Sequence, residues 1–387
     1  DAPCVPEVCV NISKMRFLSL MLCWLLLVPL LVKAFVRHGE VRASRSALHL
    51  DKGFNILETA SKVVPQGQIV YAAKETWKFA WKRMMAELAP QDKSGSYQRP
   101  SYTFEGRIGS SLKHPDEPGR YQVYLGNPCP WCHRVRLVLA LRDVSPQEVG
   151  VTMLVDDPIK ASRGGWCFSP NDPDPVQNCR DLRELYDLLS PGYKGRCTAP
   201  LLVDTKARCI VSNESSDIVR QLNEATFQSD NPRRDLYPKE LQKEIDETND
   251  WVYNFLSNGC YQCGFSTTQA AYNEAAAKVR LGLEKCEALL SKQDYLCGSS
   301  FTEADLRLLP TALRFDGVYA PLFKASQLRI RDYPNLHAWL KRCWSMDGVP
   351  GTIDLEDANA SYYKQLFPLN PGGIIPSPVT TATLGLE

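Results

Sequence analysis

The run Asn127-Pro128-Cys129-Pro130-Trp131-Cys132-His133-Arg134 constrains this chain more than any other stretch. It follows a strand-like segment, residues 121–125, and precedes apolar residues at helical spacing, Val135, Val138, Leu139 and Leu141. Cys129 therefore falls at a strand-to-helix turn, facing the unpaired N–H groups and positive end of the helix. That setting favours thiolate over thiol, and Arg134 or Arg136 can add positive charge. Pro130 suits the first helical position, where a missing N–H costs nothing. The thiolate is the nucleophilic form, so the run points to sulfur-centred chemistry. Two cysteines at this spacing also suit zinc, with Cys260-Tyr261-Gln262-Cys263 as a second half-site. The Pro-Trp filling and the strand-turn-helix setting favour redox or transferase chemistry without a metal. His133, early in the helix, reads as a surface or packing residue.

From residue 120 the pattern alternates between strand and helix. A second strand is predicted at 149–155, followed by a Pro-, Gly- and Asp-rich loop at 156–178. A helix at 180–189 carries Leu182, Leu185, Leu188 and Leu189 on its apolar side. Strands at 199–203 and 208–211 flank Asp204-Thr205-Lys206-Ala207, which suits a hairpin. Ser212-Asn213-Glu214-Ser215-Ser216 then opens another helix. The order β-α-β-α-β-β-α is thioredoxin-like. Residues 237–345 are helical by period, and Thr302 with Asp305 forms a helix-start signature in which Phe301 packs on Leu306. The predicted fold class is α/β plus all-α: a thioredoxin-like domain at 119–226, a helical domain at 227–350 and a C-terminal tail at 351–387 that is Pro/Gly-rich after Tyr363.

The segment ahead of these domains divides in two. Residues 51–118 form an extension and lead-in, with an amphipathic helix predicted at 72–88 that packs in a core or dimer interface. Residues 1–50 read as a leader. An apolar run at 17–32 after Met15-Arg16 has the length of a signal-peptide core, and a basic, serine-bearing stretch follows Phe35. This pairing resembles the bipartite leaders of algae with complex plastids, so plastid import is the expectation, with plain secretion as the alternative. Net charge is +1, which gives no reason to expect nucleic acid or a membrane surface as partner. The 14 cysteines are scattered rather than densely spaced, so reduced thiols are expected.

A thioredoxin-like domain bearing Cys-Pro-Trp-Cys before an all-helical domain resembles a cysteine-using glutathione transferase. Further stretches resemble the xi class, the glutathionyl-hydroquinone reductases. They include Ser162-Arg163-Gly164-Gly165-Trp166-Cys167-Phe168, Asn258-Gly259-Cys260-Tyr261-Gln262-Cys263-Gly264-Phe265, Arg314-Phe315-Asp316-Gly317-Val318-Tyr319 and the tail from Asn370 to Pro376. The resemblance spans about residues 104–378. It departs from the class pattern at Cys132, where many members have Ala or Gly, at Ala199, where Val is usual, and at Gly317, Cys167 and Cys263.

The resemblance implies glutathione as co-substrate and a quinone-derived molecule as the other. Pro200, in a strand-leading loop, is a candidate cis bond, and the resemblance assigns the Ala199 backbone to the cysteinyl amide of glutathione. Glu214 and Ser215, at a helix start, would take the γ-glutamyl ammonium and carboxylate. Trp166 would lie along glutathione, and Arg163 would meet its glycyl carboxylate. Tyr261 and Tyr319 would face the second substrate, where a phenol can protonate a leaving phenolate. Cys129 would attack the glutathionyl sulfur and form a mixed disulfide, which a second glutathione resolves. A homodimer is implied by the resemblance alone. Two alternatives stand beside this reading. One is a glutaredoxin-like or dehydroascorbate-reducing enzyme with Cys132 resolving Cys129. The other is a non-catalytic peripheral subunit of a plastid membrane complex, attached through the N-terminal extension.

Overall fold

A computed structural model describes residues 65–100, 103–109, 113–161, 165–229 and 232–387. The leader at 1–50 and Arg163 lie outside the described residues. The central strand is β1 (Tyr121–Gly126), buried at every position. It pairs in parallel with β2 (Val149–Asp156) and antiparallel with β4 (Leu201–Asp204), which pairs antiparallel with β5 (Cys209–Ser212). A two-residue strand, β3 (Trp166–Cys167), joins the free edge of β2, giving the order β3-β2-β1-β4-β5. That strand lies inside the span expected to be loop, and it is too short for any periodicity to announce it. Helices α2 (Pro130–Leu141), α3 (Leu182–Leu189) and α4 (Ser215–Glu224) complete the thioredoxin-like order.

Helix α2 is buried on almost every side, with Cys132, His133, Arg134, Val135, Leu137 and Val138 all inside. It packs on α4 and also on α8 (Glu303–Arg314) of the helical layer. A helix covered on both sides can hold polar side chains only where each has a partner. The helical layer comprises α5 (Gln242–Trp251), α6 (Asn258–Phe265), α7 (Gln269–Leu290), α8 and α9 (Pro334–Trp344). Two wide turns of π-helix interrupt it, Val252–Ser257 ahead of α6 and Phe315–Tyr319 after α8. Such turns re-aim the side chains that follow and often mark functional sites.

The span assigned to the tail contains a helix, α10 (Leu355–Gln365), and is corrected accordingly. Asp354 caps it by accepting from the Asp357 N–H at 3.0 Å, and Leu355, Ala358 and Tyr362 form its buried face. The N-terminal helix α1 runs from Gln66 to Leu88, longer than the expected 72–88. Its C-terminal half packs on its own chain. Met85 is fully buried, Trp81 Nε1 donates to Pro368 O at 2.9 Å, and Arg196 donates to the carbonyls of Leu88 and Glu87. Trp77 and Phe79 remain exposed.

At the start of α8 the expected capping signature carries more than a cap. Asp305 accepts from the N–H of Thr302 at 3.0 Å, the N–H of Leu296 at 2.8 Å and Trp339 Nε1 at 2.9 Å. Burial pushes its carboxyl up to about 6, against the pull of these donors. Asp305→Ala leaves three buried donors unmet and should cost more than about 3 kcal/mol, read as a shift in urea midpoint. The native state keeps a proton here that the unfolded chain has lost between pH ~4 and ~6. The contribution of Asp305 to stability therefore falls as pH rises through that window. Asp305→Asn should flatten that slope, and an unchanged slope would exclude it.

Candidate active site

Cys129 is the N-cap of α2, with extended backbone at φ −74° and ψ 117°. Its N–H donates to Gly126 O at 3.2 Å, and its sulfur lies 3.6 Å from Ala199 O. The Ala199-Pro200 peptide is cis. Burial opposes ionisation of Cys129. It is outweighed by the Cys132 thiol hydrogen, the backbone N–H groups of Cys132 and Trp131, and the charge of Arg314, so the thiol is held below its ordinary range. The same contacts act in reverse on Cys132, where burial and the hydrogen bond it gives to Cys129 push the thiol well up. Cys129 is thus the nucleophile of the pair and Cys132 its proton-bearing neighbour.

The added positive charge comes from Arg314, and the expectation of Arg134 or Arg136 is corrected. Arg134 turns toward Ser257 Oγ at 3.2 Å and Arg307 O at 3.0 Å, while Arg136 donates to Gly351 O at 2.9 Å. For His133 the structure takes the packing alternative over the surface one. It is fully buried, with Nε2 2.8 Å from Thr352 Oγ1 and Nδ1 3.1 Å from Arg314 Nη1. Burial and the Arg314 charge hold its pKa well below the usual range, so the imidazole is neutral.

Around Cys129 the remaining expected residues fall on two sides. Trp166, on β3, lies over Gly126, where any Cβ would come within 2.2 Å of its ring. Glycine at the end of β1 therefore lets an indole cover the strand three residues before the sulfur. Glu214 is the N-cap of α4. Its Oε1 accepts from Ser216 N at 3.0 Å and from Ser215 Oγ at 3.2 Å, and its Oε2 lies 3.9 Å from Arg99. Burial opposes the charge, but Arg99, the Ser216 N–H and Arg134 hold the carboxyl below its ordinary range. One oxygen thus caps the helix while the other faces a polar cleft of about 400 Å³, lined in part by Arg99, Tyr253 and Arg307. Trp131 lies between two guanidinium groups, Arg99 at 3.8 Å and Arg134 at 4.5 Å from its ring centre.

Beyond Trp131 stand three tyrosines. Tyr261, on α6, stacks near Trp131 with ring centres 6.2 Å apart. Its hydroxyl is 2.7 Å from that of Tyr362, and the Tyr319 hydroxyl is 3.2 Å from the same oxygen. Tyr319 is completely buried and reaches the site through Tyr362. Burial holds Tyr261 and Tyr319 well above the ordinary phenol range. Burial also pushes Tyr362 up to about 12, moderated by Arg314 and by its hydrogen bonds with the two other phenols. The Cys129 charge acts on both Tyr261 and Tyr362, so these two face the sulfur as neutral hydroxyls with Tyr319 behind them. Tyr362 and Arg314 are the residues that sequence reasoning missed as parts of the site. An Asp-x-x-Asp cap before apolar residues at helical spacing was the available signal for α10. Arg314 opens one of the stretches that carry the family resemblance, but no local pattern gave it a role.

The electrostatics make a direct prediction. Alkylation of Cys129 by iodoacetamide should follow a pH midpoint below the ~8.5 of a free cysteine. Cys132→Ala removes one donor to the thiolate and should raise that midpoint. Equal midpoints in the two proteins would rule out the Cys132 hydrogen bond.

Comparison with known proteins places this geometry. Residues 128–225 match the glutathione S-transferase N-terminal domain, and residues 269–342 match the C-terminal domain. The chain is 38% identical to the glutathionyl-hydroquinone reductase PcpF of Sphingobium chlorophenolicum, over 78% of this chain and 93% of that protein. It is also 38% identical to the glutathionyl-hydroquinone reductase YqjG of Escherichia coli, over 67% of this chain and 79% of that one. The glutathione-bound structure of YqjG superposes with a TM-score of 0.67, at 35% identity, covering 72% of this chain and 93% of that one. The xi glutathione S-transferase of Phanerochaete chrysosporium superposes with a TM-score of 0.68, at 38% identity, covering 73% of this chain and 98% of that one. Among the described residues no three His, Cys, Asp or Glu side chains group to hold a metal ion. The chain belongs to the glutathione transferase family, in its xi class.

Proposed function

We propose that this protein removes glutathione reductively from glutathionyl-hydroquinones, with Cys129 as nucleophile. The carrying observation is that Cys129, at the N-cap of α2, shares one site with the hydrogen-bonded Tyr261–Tyr362 hydroxyl pair, on both of which the Cys129 charge acts. Glutathione lies with its sulfur beside Cys129, its cysteinyl amide along Ala199 and its γ-glutamyl end at Glu214 and Ser215. Trp166, beside Gly126, covers it. The Glu214 carboxylate suits the ammonium, and the α4 N–H groups suit the carboxylate.

The thiolate of Cys129 attacks the glutathionyl sulfur. A Cys129–glutathione disulfide forms as the carbon–sulfur bond breaks, and the bonding pair moves to the ring. A ring in its keto form accepts that pair as it becomes an aromatic phenolate, and a tyrosine hydroxyl supplies the proton. Tyr362 suits this step because its hydroxyl lies 2.7 Å from that of Tyr261 and 3.2 Å from that of Tyr319, so a proton it gives up can be replaced along the trio. A second glutathione returns its thiol proton to the tyrosinate and, as thiolate, attacks the glutathionyl sulfur of the mixed disulfide. It leaves as oxidised glutathione and restores the Cys129 thiolate. Overall one conjugate and one glutathione give one hydroquinone and one glutathione disulfide.

A dithiol reading is kept by one observation, the hydrogen bond from the Cys132 thiol to Cys129. In that scheme Cys132 displaces glutathione from Cys129 to form an internal disulfide. Turnover of Cys132→Ala separates the two schemes: near-normal rates support one cysteine, and collapse supports two.

The basic, serine-bearing leader supports residence in a plastid, and family membership supports a homodimer. A fluorescent protein fused behind residues 1–50 should reach plastids. Retention in the secretory pathway alone would refute that location.

Two variants test the chemistry in a glutathione-dependent assay on a glutathionyl-hydroquinone. Cys129→Ser should abolish turnover. Tyr362→Phe should lower kcat by ~10²-fold, the scale of a lost general acid, with little change in KM for glutathione. Normal turnover by Cys129→Ser would overturn the proposal.

A further inference from the structure

Arg314 is the last residue of α8 and is fully buried. Its Nε donates to Pro128 O at 3.0 Å and its Nη2 to Asn127 O at 2.9 Å. Its Nη1 donates to Pro310 O at 3.1 Å and lies 3.1 Å from His133 Nδ1. All four partners are neutral, and among the described residues no carboxylate pairs with this guanidinium. A buried cation without a counter-charge is costly, so a fold that keeps one has an anion to place beside it.

The neighbours define which anion. His133 cannot offset the charge, because its Nδ1 faces a donor and must be the unprotonated nitrogen. Its Nε2–H then donates to Thr352 Oγ1, and that hydroxyl donates to Val349 O at 2.6 Å. This chain of bonds fixes the imidazole and, through it, one arm of Arg314. The ionisable groups facing Cys129 are Cys132 from α2, Tyr261 from α6 and Tyr362 from α10, and Arg314 from α8 is the cation among them. Arg136 acts on Cys132 and donates to Gly351 O away from the turn.

We propose that Arg314 is the positioning residue of this active site: it clamps the two carbonyls ahead of Cys129 and supplies the positive charge facing the thiolate and the phenols. The clamp has an electrostatic consequence. The carbonyls of Asn127 and Pro128 are both satisfied by the guanidinium, which fixes the turn that presents the sulfur. The N–H groups at the start of α2 are left facing it. The fork geometry of arginine suits donation in several directions from one charge, which a lysine ammonium on its flexible stem does not reproduce. Arg314 also stands immediately before the π turn Phe315–Tyr319, and its charge favours ionisation of both Tyr319 and Tyr362. One buried cation thus acts on the nucleophile and on the proton donors together. The half of this role that concerns the phenols rests on the proposed reaction, whereas the half that concerns the thiolate does not.

The test uses the whole protein with Arg314→Met and Arg314→Lys, each checked for native circular dichroism. The first readout is the pH profile of Cys129 alkylation by iodoacetamide, which needs no hydroquinone. Arg314→Met should move the midpoint up by about a unit, slowing alkylation at neutral pH by ~10-fold. Arg314→Lys keeps the charge but loses the fork. Its midpoint should stay within a few tenths of a unit while kcat on a glutathionyl-hydroquinone falls and KM for glutathione holds. A folded Arg314→Met with an unchanged profile would overturn the proposal. Should that variant fail to fold, a full-unit shift in Arg314→Lys would overturn it instead. A shifted profile in Arg314→Met, in a protein whose wild type does not turn over glutathionyl-hydroquinones, would refute the reaction and leave the thiolate role standing.

Discussion

Everything in this site follows from holding one sulfur as an anion at a half-buried turn between packed elements. Cys129 sits where α2 begins, and α2 is pressed between the sheet and the helical layer. Burial raises the free energy of any charge there, so the protein must supply donors that do not have to reorganise. It does so with the first N–H groups of α2, the thiol of Cys132 and the guanidinium of Arg314. These come from one helix end and from a second domain, which ties the reactivity of the cysteine to the docking of the two layers.

The other half of the site depends on irregular helix. Tyr261 follows the π segment Val252–Ser257, and Tyr319 ends the π segment Phe315–Tyr319. Regular helices at those points would rotate both side chains by the angle of the extra residue. Tyr362, on the helix after Thr352, joins them from the C-terminal end of the chain. The three hydroxyls therefore meet from α6, the turn after α8, and α10. Burial keeps them protonated, which makes them donors rather than bases.

Much of this was legible before any coordinates. The turn at Cys129, the strand and helix order, the capping signature at Thr302 and the Glu214 helix start all rest on short-range rules that neighbouring residues obey. The cis bond at Pro200 was legible for the same reason. What was not legible depends on contacts far apart in sequence. Arg314 reaches Pro128 across 186 positions, and His133 reaches Thr352 across 219. No local period distinguishes an arginine that will end beside a thiolate from one bound for the surface, as the misassigned Arg134 and Arg136 illustrate. The helix Leu355–Gln365 is a different failure. Its cap and its apolar spacing are present in the sequence, but the Pro/Gly-rich stretch after it drew the whole span into a tail.

The central claim is that glutathione passes through a covalent bond to Cys129, and a single-turnover experiment addresses it directly. The protein is mixed with excess glutathionyl-hydroquinone in the absence of free glutathione, quenched in acid and examined by intact and peptide mass spectrometry. The account predicts one glutathione added to each chain, located at Cys129, with one equivalent of free hydroquinone released. Hydroquinone released without any adduct at Cys129, or an adduct confined to another cysteine, would contradict it.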